Sequence, residues 1–363
     1  MRTSVTTAMT TAAETAAAAA AAPRPPAVAV TGLRKSYGAV AAVRGVSFTV
    51  AAGEIFALLG PNGAGKTSIL EILEGFRGRD GGQVDVLGLD PADRASGRTL
   101  RERIGLVLQD VAVEPYLTVR ETVARNAGYY PAPLATGEVI SLVGLTGMER
   151  RKVAKLSGGQ KRRLDLALGL VGNPELLFLD EPTTGFDPSA RRDAWEMVRG
   201  LRTAGITILL TTHYMEEAQA LADRVAVLSA GQIVAAGTPA TIGGRDTART
   251  RIRFALPAGY TAADLPPDAL VRGAVLSGAV LSGAALSGAA LSGAGTSDAG
   301  PSGDLVTVET GEPAQALHQL TGWALGRGVP LDRLTVDRPS LEDIYLRLTA
   351  PGPAEAGRER SSQ

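Results

Sequence analysis

The segment Gly60-Pro61-Asn62-Gly63-Ala64-Gly65-Lys66-Thr67 constrains this chain more than any other. It fits the pattern G-x-x-x-x-G-K-[ST] at every position, and that pattern works only between a strand and a helix. Both neighbours are legible. Residues 54–59 are β-rich and run straight into the loop, and residues 67–73 carry Ile69, Leu70, Ile72 and Leu73 at helical spacing. Glycines here let backbone N–H groups converge on phosphate oxygens without Cβ clashes. The helix start adds the positive end of its dipole. In such a loop Lys66 reaches the β- and γ-phosphates, and the Thr67 hydroxyl completes a Mg²⁺ site. A chance glycine turn is the bland alternative, and it would not need the strand before and the helix after.

The same alternation continues along the chain. β-rich runs at residues 27–31, 46–50, 103–108, 175–179, 206–211 and 224–228 are separated by helical patterns such as 160–171 and 189–203. Strands alternating with helices predict an α/β fold with a mainly parallel central sheet. The first domain is expected to cover residues 27–244. An extension of α+β character follows over 245–350, with strands at 249–256 and 304–310 and helices at 313–326 and 340–349. Residues 1–26, rich in Ala and Thr and ending in Pro-Arg-Pro-Pro, are expected to form a disordered tail, as are residues 351–363.

Residues 273–297 hold a five-residue repeat, GAVLS-GAVLS-GAALS-GAALS, without a single charge. A period of five gives its leucines no lasting helical face, and an odd period flips sides in a strand. Its Gly and Ser content dilutes the hydrophobicity a membrane span needs. It reads as a low-complexity insertion covering about 273–303, with a small repeat coil as the rival. Basic and acidic residues number 37 each, which argues against a bulk nucleic-acid binder. No cysteine is present, so disulfides, zinc-thiolate sites and thiol nucleophiles are excluded.

Two further segments carry chemistry. Residues 175–179 are apolar after their first position, and Asp180-Glu181-Pro182 follows. A buried strand ending in acids places Asp180 beside the phosphate loop as a metal-side carboxylate. Glu181 can then orient or deprotonate an attacking water. A helix cap or solvated turn would explain two acids alone, but not their pairing with the loop. Leu156-Ser157-Gly158-Gly159-Gln160 precedes an amphipathic stretch, so its small residues offer backbone N–H groups at a helix start. On its own it would be a flexible glycine turn.

Taken together, residues 28–244 resemble the ATP-binding subunits of ABC transporters, P-loop NTPases with a helical subdomain. The resemblance rests on the phosphate loop, Gln109 after a strand, the LSGGQ segment, Asp180 with Glu181, Asp187, and His213 after a later strand. It implies that ATP with Mg²⁺ lies between the phosphate loop of one subunit and the glycine segment of a second. Tyr37 would stack on adenine. Gly60, Asn62, Gly63, Gly65, Lys66, Thr67 and Ser68 would cradle phosphates. Thr67, Gln109 and Asp180 would surround the metal. Ser157, Gly158 and Gly159 would meet the partner's γ-phosphate. Asp187 would bridge subunits, while Glu181, His213 and Gln109 would serve the hydrolytic step. Phe186 departs from the leucine usual in the family.

Residues 71–75 and 339–346 look like the drug- and antibiotic-resistance exporter group, the daunorubicin-resistance type. That branch implies a separate permease, a short C-terminal extension and export of a drug, antibiotic or lipophilic compound. With the family resemblance and the balanced charge, the expected partner is a second copy of the chain, a homodimer on the cytoplasmic face of the cell membrane, and no nucleic acid. An importer subunit is the nearest alternative. A soluble ATPase acting on ribosomes or DNA is less well matched, because the chain has one cassette and no heptad run between Lys66 and Ser157.

Overall fold

The structure, a computed structural model, describes residues 25–107, 113–256, 259–260, 264–266, 275–277 and 305–349. Gln109, most of the expected N-terminal tail, most of residues 273–303 and the tail at 351–363 lie outside the described residues. Two compact units are present, the first ending at Pro239 and the second starting at Ala240.

In the first unit, β1 (Val28–Tyr37) and β2 (Val40–Val50) form an antiparallel hairpin. β3 (Ile55–Leu59) is buried at all five positions and leads into the phosphate loop and α1 (Lys66–Leu73). β4 (Gly81–Val86) returns beside β1, giving a three-stranded sheet in the order β2-β1-β4. This antiparallel layer is not foreseen from the sequence. Polar residues such as Arg34, Lys35 and Ser36 interrupt the hydrophobic runs, and bulges in the β1–β2 register shift which side chains face inward.

After α2 (Gly97–Arg103) and β5 (Ile104–Val107), three helices form a packed group: α3 (Val119–Ala127), α4 (Thr136–Leu142) and α5 (Gly158–Leu170). This is the helical subdomain. Thr118 and Glu121 start α3 with a reciprocal capping box, which satisfies two of its free N–H groups. The chain then re-enters the sheet with β6 (Leu176–Asp180), α6 (Pro188–Thr203), β7 (Thr207–Thr212), α7 (Met215–Leu221), β8 (Arg224–Ser229) and β9 (Gln232–Gly237).

The main sheet runs β5-β6-β7-β3-β8-β9, parallel except for β9. β3 and β7 are buried along their whole length, as strands covered on both faces must be. Phe56, Phe178, Ile69 and Leu73 belong to one core beneath the phosphate loop. Crucially, β6, β7 and β3 are neighbours. Their carboxyl ends therefore deliver Asp180, Thr212 and the loop after Leu59 to one edge, where α/β sheets bind ligands.

The second unit contains β10 (Thr250–Ala255), β11 (Val275–Ser277), β12 (Leu305–Thr310), α8 (Pro313–Arg327), β13 (Thr335–Asp337) and α9 (Leu341–Thr349). Its sheet order is β11-β12-β10-β13, and the pairings are antiparallel. Ile252, Phe254, Val306 and Val308 cluster with Ala316, Leu320 and Trp323 of α8. Arg251 pairs with Glu309 and Asp343 instead. β11 falls inside the five-residue repeat. Backbone pairing needs no consistent side-chain face, so the repeat's odd period does not forbid it. No helix among the described residues is long and apolar enough to cross a membrane.

Candidate functional site

A cleft of about 410 Å³ opens at that sheet edge, lined by Ala42, residues 61–63, 65–68, Asp180 and Glu181. The loop is shaped by its own chain. Gly65 has φ 106°, and a Cβ there would meet the Ala42 carbonyl oxygen at 2.5 Å. At Gly60 a Cβ would meet the Leu228 carbonyl oxygen at the same distance. Only glycine meets both demands at position 65.

Lys66 is buried, and its Nζ donates to the carbonyl oxygens of Gly60 at 2.7 Å and Pro61 at 3.2 Å. It also lies 3.4 Å from Glu181 Oε1. The ammonium is thus held at the cleft floor, where it can face an anionic phosphate. Tyr37 sits half-exposed at the end of β1, its hydroxyl 3.1 Å from Ser68 Oγ. The Arg77 guanidinium lies 5.2 Å from the Tyr37 ring centroid and the Lys35 ammonium 5.7 Å, so the ring is bordered by two cations.

The acids are positioned by β7. Thr211 Oγ1 donates to Asp180 Oδ1 at 2.5 Å, a charge-assisted bond. The Glu181 N–H is shared between the Thr211 carbonyl and hydroxyl oxygens, each at 3.2 Å. Glu181 itself sits at φ 46°, in the left-handed region that non-glycine residues adopt at a cost. This conformation aims its carboxylate back at Lys66 and at His213, whose Nδ1 lies 3.2 Å from Oε1. That contact is an ion-pair distance without hydrogen-bond alignment. The Thr184 hydroxyl donates to Glu181 Oε2 at 3.2 Å. Burial pushes the Glu181 carboxyl up, but His213, Lys66 and Thr184 more than offset it and hold the group below the usual carboxylate range. Glu181 is therefore ionised at neutral pH, the form a water-orienting base needs.

Thr67 and Asp180 bring hard oxygen donors to the same cleft. The described residues contain no cluster of three or more His, Cys, Asp or Glu that would hold a metal unaided. That donor set suits Mg²⁺, which keeps several waters and binds through one or two protein oxygens plus substrate phosphates.

The glycine segment is elsewhere. Ser157 caps α5, its hydroxyl accepting from Gln160 N–H at 3.3 Å while Gln160 Oε1 accepts from Ser157 N–H at 3.1 Å. Ser157 and Gly158 are exposed. None of residues 157–160 lines the phosphate-loop cleft. At Gly158 and Gly159 an added Cβ would meet nothing within 4 Å, and neither has a positive φ. Asp187 caps α6, accepting from the N–H groups of Ser189 and Ala190 at 2.9 Å each.

Three supporting residues escape sequence reading: Thr211, Thr184 and Arg162. Arg162, on α5, donates to the carbonyl oxygens of Pro182 at 3.1 Å and Asp180 at 3.3 Å. It thereby ties the helix behind the glycine segment to the acid-bearing loop. An Asp180-to-Thr211 pairing was available only from strand register.

Residues 43–184 match the family model described as ABC transporter, and residues 288–340 match one described as ABC transporter domain-containing protein-like, C-terminal domain. The chain is 39% identical over 328 residues to the Nod factor export ATP-binding protein I of Rhizobium sp. (strain N33), covering 89% of this chain and 97% of that one. With the same-named protein of Rhizobium meliloti (strain 1021) it shares 46% over 218 residues, or 59% of this chain and 64% of the relative. Among solved structures, cbiO1 from Clostridium perfringens, part of the ABC transporter complex cbiONQ, aligns with TM-score 0.55 and 27% identity over 59% of this chain and 89% of that one. MJ1267 in its ADP conformation, an ATP-binding cassette of an ABC transporter, aligns with TM-score 0.53 and 25% identity over 59% of this chain and 91% of that one.

Proposed function

Because the chain belongs to the ABC transporter family as an ATP-binding, ATP-hydrolysing member, we propose that it is the energy-coupling subunit of an exporter that drives a separate membrane permease. The relatives' names, which specify Nod factor export, favour outward transport. The cargo is a drug, antibiotic or lipophilic compound, in keeping with the likeness of residues 71–75 and 339–346 to the daunorubicin-resistance type. The subunit would sit on the cytoplasmic face of the membrane through its permease.

One observation carries the working model: the phosphate-loop cleft holds Lys66, Thr67, Asp180 and Glu181 but none of Ser157, Gly158 or Gly159. The second half of each ATP site would come from another copy of the chain. Glycine at 158 and 159 is not demanded by this chain's own packing, and in the first turn of α5 it costs helix stability. Close approach of a partner's nucleotide would demand it.

In this scheme Lys66 and the loop N–H groups hold the β- and γ-phosphates, and Tyr37 offers its ring to adenine. Thr67 and Asp180, with Gln109, would hold Mg²⁺, which neutralises phosphate charge when bound. Glu181 orients the attacking water and accepts its proton, and His213 supports the γ-phosphate side. Ser157 and Gly159 complete the partner's site, and Asp187 lies at the junction. Closure of the two copies would move the permease, and hydrolysis would release it.

Glu181→Gln tests this directly. The variant should bind ATP, lose turnover by at least about a hundredfold, and accumulate as an ATP-dependent dimer in light scattering. A variant that stays monomeric with ATP and its permease present would overturn the shared site.

A further inference from the structure

Glu217 is fully buried in the first turn of α7. Its Oε1 accepts from the Thr183 hydroxyl at 2.8 Å and the Trp195 indole N–H at 3.3 Å. Its Oε2 is buried without a hydrogen-bond partner. Burial drives the carboxyl above the usual range, opposed by Thr212, Thr183, Trp195 and the Arg191 charge. A buried acid is costly unless its oxygens are hydrogen-bonded.

Glu217 and its two partners come from three different segments. Thr183 lies two residues beyond Glu181. Trp195 is on α6, the helix capped by Asp187. Glu217 itself lies four residues beyond His213. A second contact runs parallel: Arg191, one turn before Trp195, places its guanidinium 4.5 Å from the Tyr214 ring centroid. The Tyr214 and His213 ring centroids are 4.0 Å apart. Thus α6 grips the His213 loop at two points, and one of them also grips the loop after Glu181.

We propose that Glu217 is a positioning residue that locks the His213 loop to α6 and to the segment bearing Glu181, keeping the His213–Glu181 contact at hydrolytic distance. The role rests on the reading of Glu181 and His213 given above. It acts through His213, not on ATP itself.

The test is steady-state ATPase kinetics on the purified full chain, with thermal melting alongside. Glu217→Ala should lower kcat by about ten- to a hundredfold, the scale of a small misplacement of reacting groups. The KM for ATP should stay within about twofold, because the phosphate loop is untouched. Glu217→Gln keeps an acceptor for Thr183 and Trp195 and should stay within about threefold of the unaltered chain. In the double variant with His213→Ala, the Glu217→Ala loss should largely vanish, since both act through one group. Full additivity with His213→Ala would overturn the proposal, as would a Glu217→Gln loss equal to that of Glu217→Ala. Should Glu217→Ala fail to fold, Trp195→Phe removes the indole donor alone, and its cycle with His213→Ala carries the same two outcomes. Unaltered turnover in both Glu181→Gln and His213→Ala would instead refute the site reading, and the positioning role with it.

Discussion

Gly159→Ala separates what the chain needs for itself from what it needs for a partner. The residue is the second of α5, with helical backbone and open space where a Cβ would stand. Removing a glycine from such a position stabilises by about 0.5–1 kcal/mol, mainly through the unfolded chain's lost freedom. For a domain of this size that is a rise in Tm of about 1–4 °C. Function should move the other way. If the backbone of residues 157–159 faces a γ-phosphate held by a second copy, a methyl group stands in the gap. Backbone N–H groups that can no longer close on a transition-state oxygen cost about 10²–10³ in rate, as loss of one such donor does elsewhere. Differential scanning calorimetry and steady-state ATPase assays on the same preparation supply both numbers. ATP binding to the isolated chain should be unchanged, because the phosphate-loop cleft contains none of these residues. A variant that is more stable and fully active would refute the argument that glycine is kept here for an approaching partner. Loss of ATP affinity in the isolated chain would refute the separation of the two half-sites.

Two other outcomes follow from the acids. Thr211→Val deletes the hydroxyl that donates to Asp180 while keeping its shape; the Mg²⁺ concentration for half-maximal ATPase should rise by about 10- to 100-fold, as when an outer partner of a metal ligand is lost, and an unchanged Mg²⁺ dependence would remove Asp180 from the metal site. The Glu181 carboxyl is held below its ordinary value, so its ionised form, and any stability that goes with it, persists at neutral pH and is lost only as pH falls through that depressed folded value. His213→Ala removes one of the groups holding it down, so the acid limb of the kcat–pH profile should move to higher pH, and a limb that stays in place or moves lower would show that His213 does not tune Glu181.

What could be read from the sequence was local. Eight contiguous residues and their flanks define the phosphate loop, so residues 60–67 carry their geometry with them. The caps at Ser157 and Asp187 were not read from the sequence, although they too are local, since a side chain and the N–H groups two or three residues on suffice. The strands expected at 249–256 and 304–310 are present as β10 and β12. Distant pairings were not legible. Thr211 meets Asp180 only because β6 and β7 pair in one register, 31 positions apart in the chain. Arg162 reaches the acid loop only once α5 is packed. β4 begins Gly-Gly-Gln, a poor strand start, and exists because β1 offers it an edge. One distinction needed both kinds of information. The glycines of residues 60–65 and of residues 158–159 look alike as text. Around Gly60 and Gly65 the chain's own carbonyl oxygens exclude a Cβ, so those glycines answer to this fold. Around Gly158 and Gly159 nothing does, so this fold's own packing gives no reason for glycine there, and the proposed approach of a partner's nucleotide would supply one.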